Sequence, residues 1–271
     1  MSQGQELVDK MERVWRSIED LCRDLTENDW KTPTDCPGWS VQDQLSHLAG
    51  SESSILGRPD PDHTPKDTSY VKNDIGRHNE VLVDYRRPNP GERVLAEFKE
   101  VTGERLTLLR AMGESDFDAA AQTPIGPGTV RDYLAIRIFD AWVHEQDMRR
   151  ALGRPGDLEG PVAQHSGGRM AMALPYVVAK KAQATHGTTV VFNLTGPAGR
   201  TLAVGVEGER GADIPDPPAS PTAGLTMDVE TFACLCCGRW EPAKALESGK
   251  VTITGDLALG EKIVAQMNFM I

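Results

Sequence analysis

The sequence predicts an all-α up-down bundle of four helices followed by a smaller α+β domain. Three observations carry that reading. Apolar residues in the first half recur at helical spacing along four separate segments. The stretch from Gly153-Arg154-Pro155-Gly156-Asp157 to Pro161 interrupts them as a boundary. Beyond it come β-branched runs, a texture absent from the first half. The expected division is a bundle over residues 1–158 and an α+β domain over residues 159–271.

Each element has a local reason. Leu7, Met11, Val14, Ile18, Leu21 and Leu25 alternate spacings of four and three along one seam, which marks the first helix. Pro37-Gly38-Trp39-Ser40 breaks the chain, and Ser40 with Asp43 can cap a second helix running to about Leu56. Arg58 to Asp67, rich in proline and aspartate, reads as a loop, and a shorter helical stretch is expected within Tyr70 to Tyr85. Gly91 opens the third main helix, with Val94, Phe98, Val101, Leu108 and Met112 on its seam. Gly126-Pro127-Gly128 punctuates before the fourth, which Thr129 and Asp132 cap and Gly153 closes. Past the boundary a helix is expected over about Gly168 to Ala184. Strands Thr188 to Leu194 and Thr201 to Val206 flank the hairpin signal Gly196-Pro197-Ala198-Gly199. A proline-rich loop (Pro215 to Pro221) leads to Leu225 to Met227, a helix over Val229 to Cys236, a strand over Val251 to Thr254 and a last helix from about Leu257.

Composition excludes several classes of function. The net charge of −11, with no basic run longer than a pair, argues against a nucleic-acid backbone or an anionic membrane as partner. No apolar run approaches the roughly 18 residues of a membrane span. Met1-Ser2-Gln3-Gly4-Gln5-Glu6 lacks a basic segment followed by an apolar one, so a cytoplasmic protein, monomer or homodimer, is expected. Cys22, Cys36, Cys234, Cys236 and Cys237 are odd in number and form no Cys-x-x-Cys pair, so neither a disulfide framework nor a zinc ribbon is indicated. Cys236-Cys237 follows Phe232-Ala233-Cys234-Leu235, where cysteine acts as a small core residue.

The fourth helix carries the chemistry. At about 100° per residue, Tyr133, Arg137, Asp140, His144 and Asp147 share one narrow stripe. Ile136, Phe139 and Val143 flank it on one side, and Leu134, Ile138, Ala141 and Trp142 on the other. Such a helix is largely buried, so its carboxylate and imidazole must be paired or metal-bound. Asp140 and His144, one turn apart, can face one atom. His47 on the second helix, with Leu48 and Ile55 beside it and Asp43 and Ser51 on its stripe, is the best third donor. Two histidines and a carboxylate from facing helices suit Zn²⁺ with one position open, and Fe²⁺ or Ni²⁺ accept the same donors. A carboxylate and a histidine at i, i+4 also form a plain ion pair, and the spacing alone does not choose. Arg137 could bind an anion or simply pair with Asp140, and Glu145 and Asp147 could support the site or be surface charges. His63, His165 and His186 read as solvated or structural. His78 could face the bundle, and it or Asp43 as a fourth donor would make a closed, structural site.

These residues resemble a family. Trp30, then Cys36-Pro37-Gly38-Trp39-Ser40-Val41-Gln42-Asp43 leading to His47-Leu48-Ala49-Gly50, is similar to the N-terminal signature of the mycothiol-dependent maleylpyruvate isomerases and related thiol transferases. That family lies within the DinB-like four-helix metalloproteins. Asp140-Ala141-Trp142-Val143-His144-Glu145-Gln146-Asp147, followed by Ala151-Leu152-Gly153-Arg154-Pro155-Gly156, resembles the second signature. The resemblance implies that His47, Asp140 and His144 hold the metal, with Asp140 standing where the isomerase has glutamate. It also implies mycothiol as the thiol cosubstrate and an actinobacterial source. Gly238-Arg239-Trp240-Glu241-Pro242 and Gly249-Lys250-Val251-Thr252-Ile253-Thr254-Gly255-Asp256 resemble a sterol-carrier-like domain.

The function so implied is isomerisation of a small electrophile, or thiol transfer to it, by an activated thiolate, with Arg137 contacting an anionic substrate or orienting Asp140. The other reading is a non-catalytic binding protein. In it the second domain carries an apolar small molecule or lipid, with Trp240 lining a pocket or merely filling a core, and the bundle's metal is structural.

Overall fold

The computed structural model describes residues 2–270 and divides into two compact units, the first ending at Asp157 and the second beginning at Leu158. The first unit is built from helices α1 (Gln3–Cys22), α2 (Glu27–Trp30), α3 (Val41–Ile55), α4 (Asp74–Arg86), α5 (Gly91–Ala111) and α6 (Val130–Leu152). α1 packs on α5 and α6, and α3 packs on the same two, so these four long helices close a ring; α4 lies against α3. The inward seam of α1 is Val8, Met11, Val14, Ile18 and Leu21, with Val8 taking the place expected of the half-buried Leu7. Capping boxes start α2 (Thr26, Asp29), α3 (Ser40, Asp43) and α6 (Thr129, Asp132), and Gly153 ends α6 in the left-handed conformation.

Two details place α3 and α5. Trp30 is fully buried against Gly91, where any Cβ would lie 2.2 Å from the indole, so α5 can begin at that depth only on a glycine. The segment from Pro33 to Ser40 turns back on itself through a backbone bridge between those two residues, which presents Trp39 beside the first turns of α3. One departure from expectation lies before α6: Gly126-Pro127-Gly128 is part of a small hairpin, β1 (Ala120–Thr123) with β2 (Gly126–Thr129), and not a bare break. The hairpin feeds directly into the α6 cap at Thr129.

The second unit is α+β. It opens with α7 (Gly160–Ala171), α8 (Leu174–Tyr176) and a π-helical turn over Val177–Lys181. These replace the single helix expected over Gly168 to Ala184. Pro175 is accommodated at the start of α8, where its missing N–H costs nothing, so the chain restarts there. The sheet comprises β3 (Thr189–Thr195), β4 (Arg200–Glu207), β5 (Arg210–Asp213), β6 (Ala223–Asp228) and β7 (Val251–Gly255) in the order β5-β4-β3-β6-β7, with only β3 and β6 parallel. β5 was not expected; it pairs with β4 across a two-residue turn at Gly208-Glu209, with Gly208 at positive φ. Helices α9 (Val229–Cys236), α10 (Pro242–Glu247) and α11 (Leu257–Ala265) complete the unit, α9 and α11 packing on the sheet over Phe192, Leu225 and Met227. Lys250 lies over the Trp240 ring, 4.6 Å from its centroid. Among the described residues no helix is long and apolar enough to cross a membrane.

Candidate metal centre

Helices α3 and α6 bring His47, Asp140 and His144 together at the centre of the first unit. His47 Nε2 lies 3.2 Å from Asp140 Oδ2, and His144 Nε2 lies 3.6 Å from Asp140 Oδ1. The two imidazole rings meet edge to face with centroids 4.6 Å apart. One donor atom from each of the three residues lies within 4.8 Å of the other two. Both histidines are buried, whereas the Asp140 side chain is 26% exposed and marks the side open to solvent.

A second ring of side chains holds these three. Arg137 Nη1 donates to Asp140 Oδ2 (2.8 Å), and its Nε donates to Glu52 Oε1 (2.9 Å). Glu52 is buried and also accepts from Arg105 Nε at 3.1 Å, so charges alternate along Arg105, Glu52, Arg137 and Asp140. Arg137 Nη2 is buried and has no hydrogen-bond partner. His144 Nδ1 meets Gln44 Oε1 and lies 3.6 Å from Asp147 Oδ2; Asp147 is fully buried and paired with Arg150. The Trp39 indole stands 5.3 Å from the His47 ring and 5.7 Å from the His144 ring. Its Nε1 donates to Glu80 (3.0 Å), a buried carboxylate that also accepts from the Tyr70 hydroxyl at 2.7 Å. Trp39 is therefore a fixed aromatic wall.

The electrostatics of the three central groups differ. Burial pushes the Asp140 carboxyl upward, but Arg137, His47 and His144 together hold it well below the usual carboxylate range. Burial drives His47 down to about 4 despite the pull of Asp140, so this imidazole is neutral at physiological pH. Burial also opposes a proton on His144, yet Asp140 and Asp147 lift it above the ordinary histidine value. Two imidazole nitrogens thus face one carboxylate that stays ionised, an arrangement completed by a cation, either a proton or a metal ion. Neutral imidazole and ionised carboxylate are the ligand forms that a divalent ion takes, and two nitrogens with one oxygen form a suitable donor set. The residues fit such an ion.

Other residues considered from the sequence lie elsewhere. His78 is half-exposed beside Asp60 (3.6 Å) and does not face the bundle. Asp43 caps α3 and pairs with Arg87 at 3.1 Å. His63 pairs with Asp84 at 2.7 Å, and His186, in the second unit, accepts from the Gly208 amide. Among the described residues the central cluster contains three potential donors and no fourth. Gln44, Glu52 and Trp39 were not singled out from the sequence as parts of the site. Gln44 precedes His47 by one turn of α3, and that spacing was the available signal.

The family described as the mycothiol maleylpyruvate isomerase N-terminal domain matches residues 11–149, and the SCP-2 sterol transfer family matches residues 173–268. A crystal structure of the mycothiol-dependent maleylpyruvate isomerase superposes with a TM-score of 0.58 at 14% identity, covering 93% of each chain. A point mutant of the same enzyme gives 0.57 at 13% identity over the same shares. At that identity the likeness is one of fold. Hydroxysteroid dehydrogenase-like protein 2 of Danio rerio is 26% identical over 164 residues, 60% of this chain, which spans only 40% of that protein's length. Because the first match takes in more than half of its 271 residues, the chain belongs to the mycothiol maleylpyruvate isomerase N-terminal domain family.

Proposed function

We propose that the N-terminal domain, taken as residues 1–158, is a metal-binding bundle in which His47, Asp140 and His144 hold one divalent cation, Zn²⁺ foremost, with Fe²⁺ or Ni²⁺ accepted by the same donors. The protein uses a low-molecular-weight thiol, mycothiol, against a small electrophile, and the reaction is cytoplasmic. The observation that carries this reading is the cluster of three potential donors, with no fourth among the described residues and one partly exposed side. A catalytic ion keeps such an open position, whereas a structural one is closed by four protein ligands.

Held by His47, Asp140 and His144, a divalent cation would supply thiolate near neutral pH from a thiol whose free pKa is about 8.5. A thiolate adds to an electrophilic carbon–carbon double bond, forming a C–S bond as the π pair moves to the neighbouring carbon. Rotation followed by loss of the thiolate isomerises the substrate; protonation of the adduct instead completes a transfer. The chain's own residues prepare this. Arg137 keeps Asp140 ionised and pins its Oδ2, and its unpartnered Nη2 is a donor for an anionic substrate group. Trp39 closes one side against water.

The match of residues 173–268 to the SCP-2 sterol transfer family favours a second reading, in which the C-terminal domain, taken as residues 159–271, is a sterol-carrier-like domain carrying an apolar ligand and the bundle's metal is structural. The three-donor cluster argues against a structural metal. The test is metal analysis of protein purified without chelators, joined to thiol consumption with mycothiol across a panel of electrophiles. One divalent ion per chain is expected, lost in His144→Ala while helical circular dichroism persists. Full occupancy in His144→Ala would show that the ligands are misassigned.

A further inference from the structure

We infer that Gln44 is a positioning residue that fixes His144 in the one tautomer able to bind metal, through a hydrogen-bond chain whose polarity is set by a backbone carbonyl in the Trp39 turn. The inference rests on the metal-site reading above and goes beyond it, because it makes the two histidines unequal.

The argument is an accounting of protons. Thr34 Oγ1 lies 2.8 Å from the carbonyl oxygen of Trp39. A carbonyl only accepts, so this bond, made beside the one from the Thr34 amide to the same oxygen (3.0 Å), uses the single hydroxyl proton of Thr34. Toward its other neighbours Thr34 Oγ1 can then only accept, and it does so from the amide of Cys36 (3.2 Å) and from Gln44 at 2.7 Å. The Gln44 atom facing Thr34 is then its NH₂ group, which leaves Oε1 facing His144 Nδ1, an assignment that the Asp147 carboxylate 3.6 Å from the same nitrogen also favours. An amide oxygen only accepts, so His144 Nδ1 carries a hydrogen. In the neutral ring Nε2 is then a bare lone pair, and Nε2 is the atom aimed at Asp140. The chain runs Trp39 C=O, Thr34 hydroxyl, Gln44 amide, His144 imidazole, each link donating toward the Trp39 carbonyl end or accepting from the imidazole end in one consistent direction.

Asp147 Oδ2, 3.6 Å from the same Nδ1, adds an acceptor on the same side and cannot reverse the polarity. His47 has no counterpart to this chain: its Nδ1 is buried without a hydrogen-bond partner, while its Nε2 meets Asp140 Oδ2. A neutral His47 has its best hydrogen bond with the proton on Nε2, the nitrogen a metal would need. Moving that proton to Nδ1 would leave a buried N–H unsatisfied. His144 is preorganised for metal, and His47 is not.

The test measures zinc dissociation constants by competition with a chromophoric chelator for wild type, Gln44→Leu, Gln44→Glu and Thr34→Val. Circular dichroism of each variant checks the fold. Partners that orient a metal-bound histidine typically carry about 10- to 100-fold of metal affinity. Gln44→Leu should lose that much, Gln44→Glu should stay within a few-fold of wild type because a carboxylate still accepts from Nδ1–H, and Thr34→Val should fall between. A wild type that binds no zinc sinks the metal-site reading. A wild type that binds, with a folded Gln44→Leu binding equally well, overturns this inference alone. Equal losses in Gln44→Leu and Gln44→Glu would make Gln44 a packing residue and also overturn it. Nitrogen-15 correlation spectra of the wild-type imidazoles need no variant: a His144 ring protonated on Nε2 alone contradicts the chain of donors.

Discussion

Helices α6 and α9 are both largely buried, and they bury opposite chemistries. α9 sinks Val229, Phe232, Ala233, Cys234, Leu235 and Cys236, for which leaving water is favourable at about 25 cal/mol per Å² of apolar surface. α6 sinks Arg137, His144, Glu145, Gln146 and Asp147 among Ile138, Ala141 and Trp142, and each uncompensated ion there costs several kcal/mol. Most of these polar groups are balanced. Asp147 has Arg150, Arg137 has Glu52 and Asp140, and Glu145 has Ser17 and Arg149. What is left over surrounds Asp140: the His144 Nε2 facing it at 3.6 Å, and the buried Arg137 Nη2 and His47 Nδ1 without partners, where the arrangement suits a bound cation. Polar burial alone does not mark a site; the part of it that internal pairing leaves incomplete does.

The strongest way to break this comparison is to remove the charge at its centre. Asp140→Asn takes away the carboxylate and leaves Arg137 with one anionic partner fewer, so metal affinity should fall by more than about 100-fold, beyond the usual cost of an altered outer contact. Asp140→Glu restores the charge on a longer arm. It should keep most of the metal while turnover changes far more than occupancy, because reacting atoms need placement within a fraction of an ångström. Metal content and thiol-dependent activity, measured on both variants, decide this. Wild-type values for both quantities in Asp140→Asn would reduce the stripe to an ordinary ion pair.

A smaller effect separates the two histidines. A metal ion binds only a neutral ring, so affinity falls as pH falls wherever the metal-free protein holds that ring as an imidazolium. The His144 value is raised, chiefly by Asp140 and then Asp147 against the burial that opposes them, so competition there begins at or above the ordinary histidine range of about 6.5. His47 is lowered to about 4 by burial and enters only near that pH. The expected profile loses about tenfold in affinity per pH unit, one proton per metal, from near neutrality down toward pH 4. A hundredfold loss per unit near pH 6 would mean that both rings titrate together. A flat profile would mean that histidines do not hold the metal.

How much of this was legible beforehand follows from where the information sits. The α6 stripe and its caps were readable because helical spacing and end signals are local, and Val229 to Cys236 was readable as a buried helix for the same reason. The β1–β2 hairpin was not, since Gly126-Pro127-Gly128 shows none of the alternation of a half-buried strand. β5 carries no strand signal because Arg210–Asp213 is short, polar and at the sheet edge. Gln44 and Glu52 act across helices, so their partners His144 and Arg137 are fixed by packing of α3 against α6, which no spacing within either helix encodes. Trp39 could be seen as a turn residue, but its approach to both imidazoles depends on the bridge between Pro33 and Ser40.

The mildest test falls on the apolar side of the comparison. None of the five cysteines is disulfide-bonded, and Cys22, Cys234, Cys236 and Cys237 are buried while Cys36, in the Trp39 turn, is partly exposed. Burial pushes the Cys22 thiol up to about 12 and the Cys236 thiol well above its ordinary value, and Cys236 is further raised by Cys237 and Cys234 beside it. Only a thiolate attacks a disulfide reagent, so these sulfurs are doubly protected, by access and by ionisation. One thiol per folded chain should therefore react rapidly with an aromatic disulfide at neutral pH, and all five after denaturation. Cys36→Ser should abolish the fast phase without altering the fold. If Cys234 or Cys236 also reacts quickly in the native protein, α9 opens on the timescale of the assay. Its burial would then be a less stable feature than the charged pairs that hold α6.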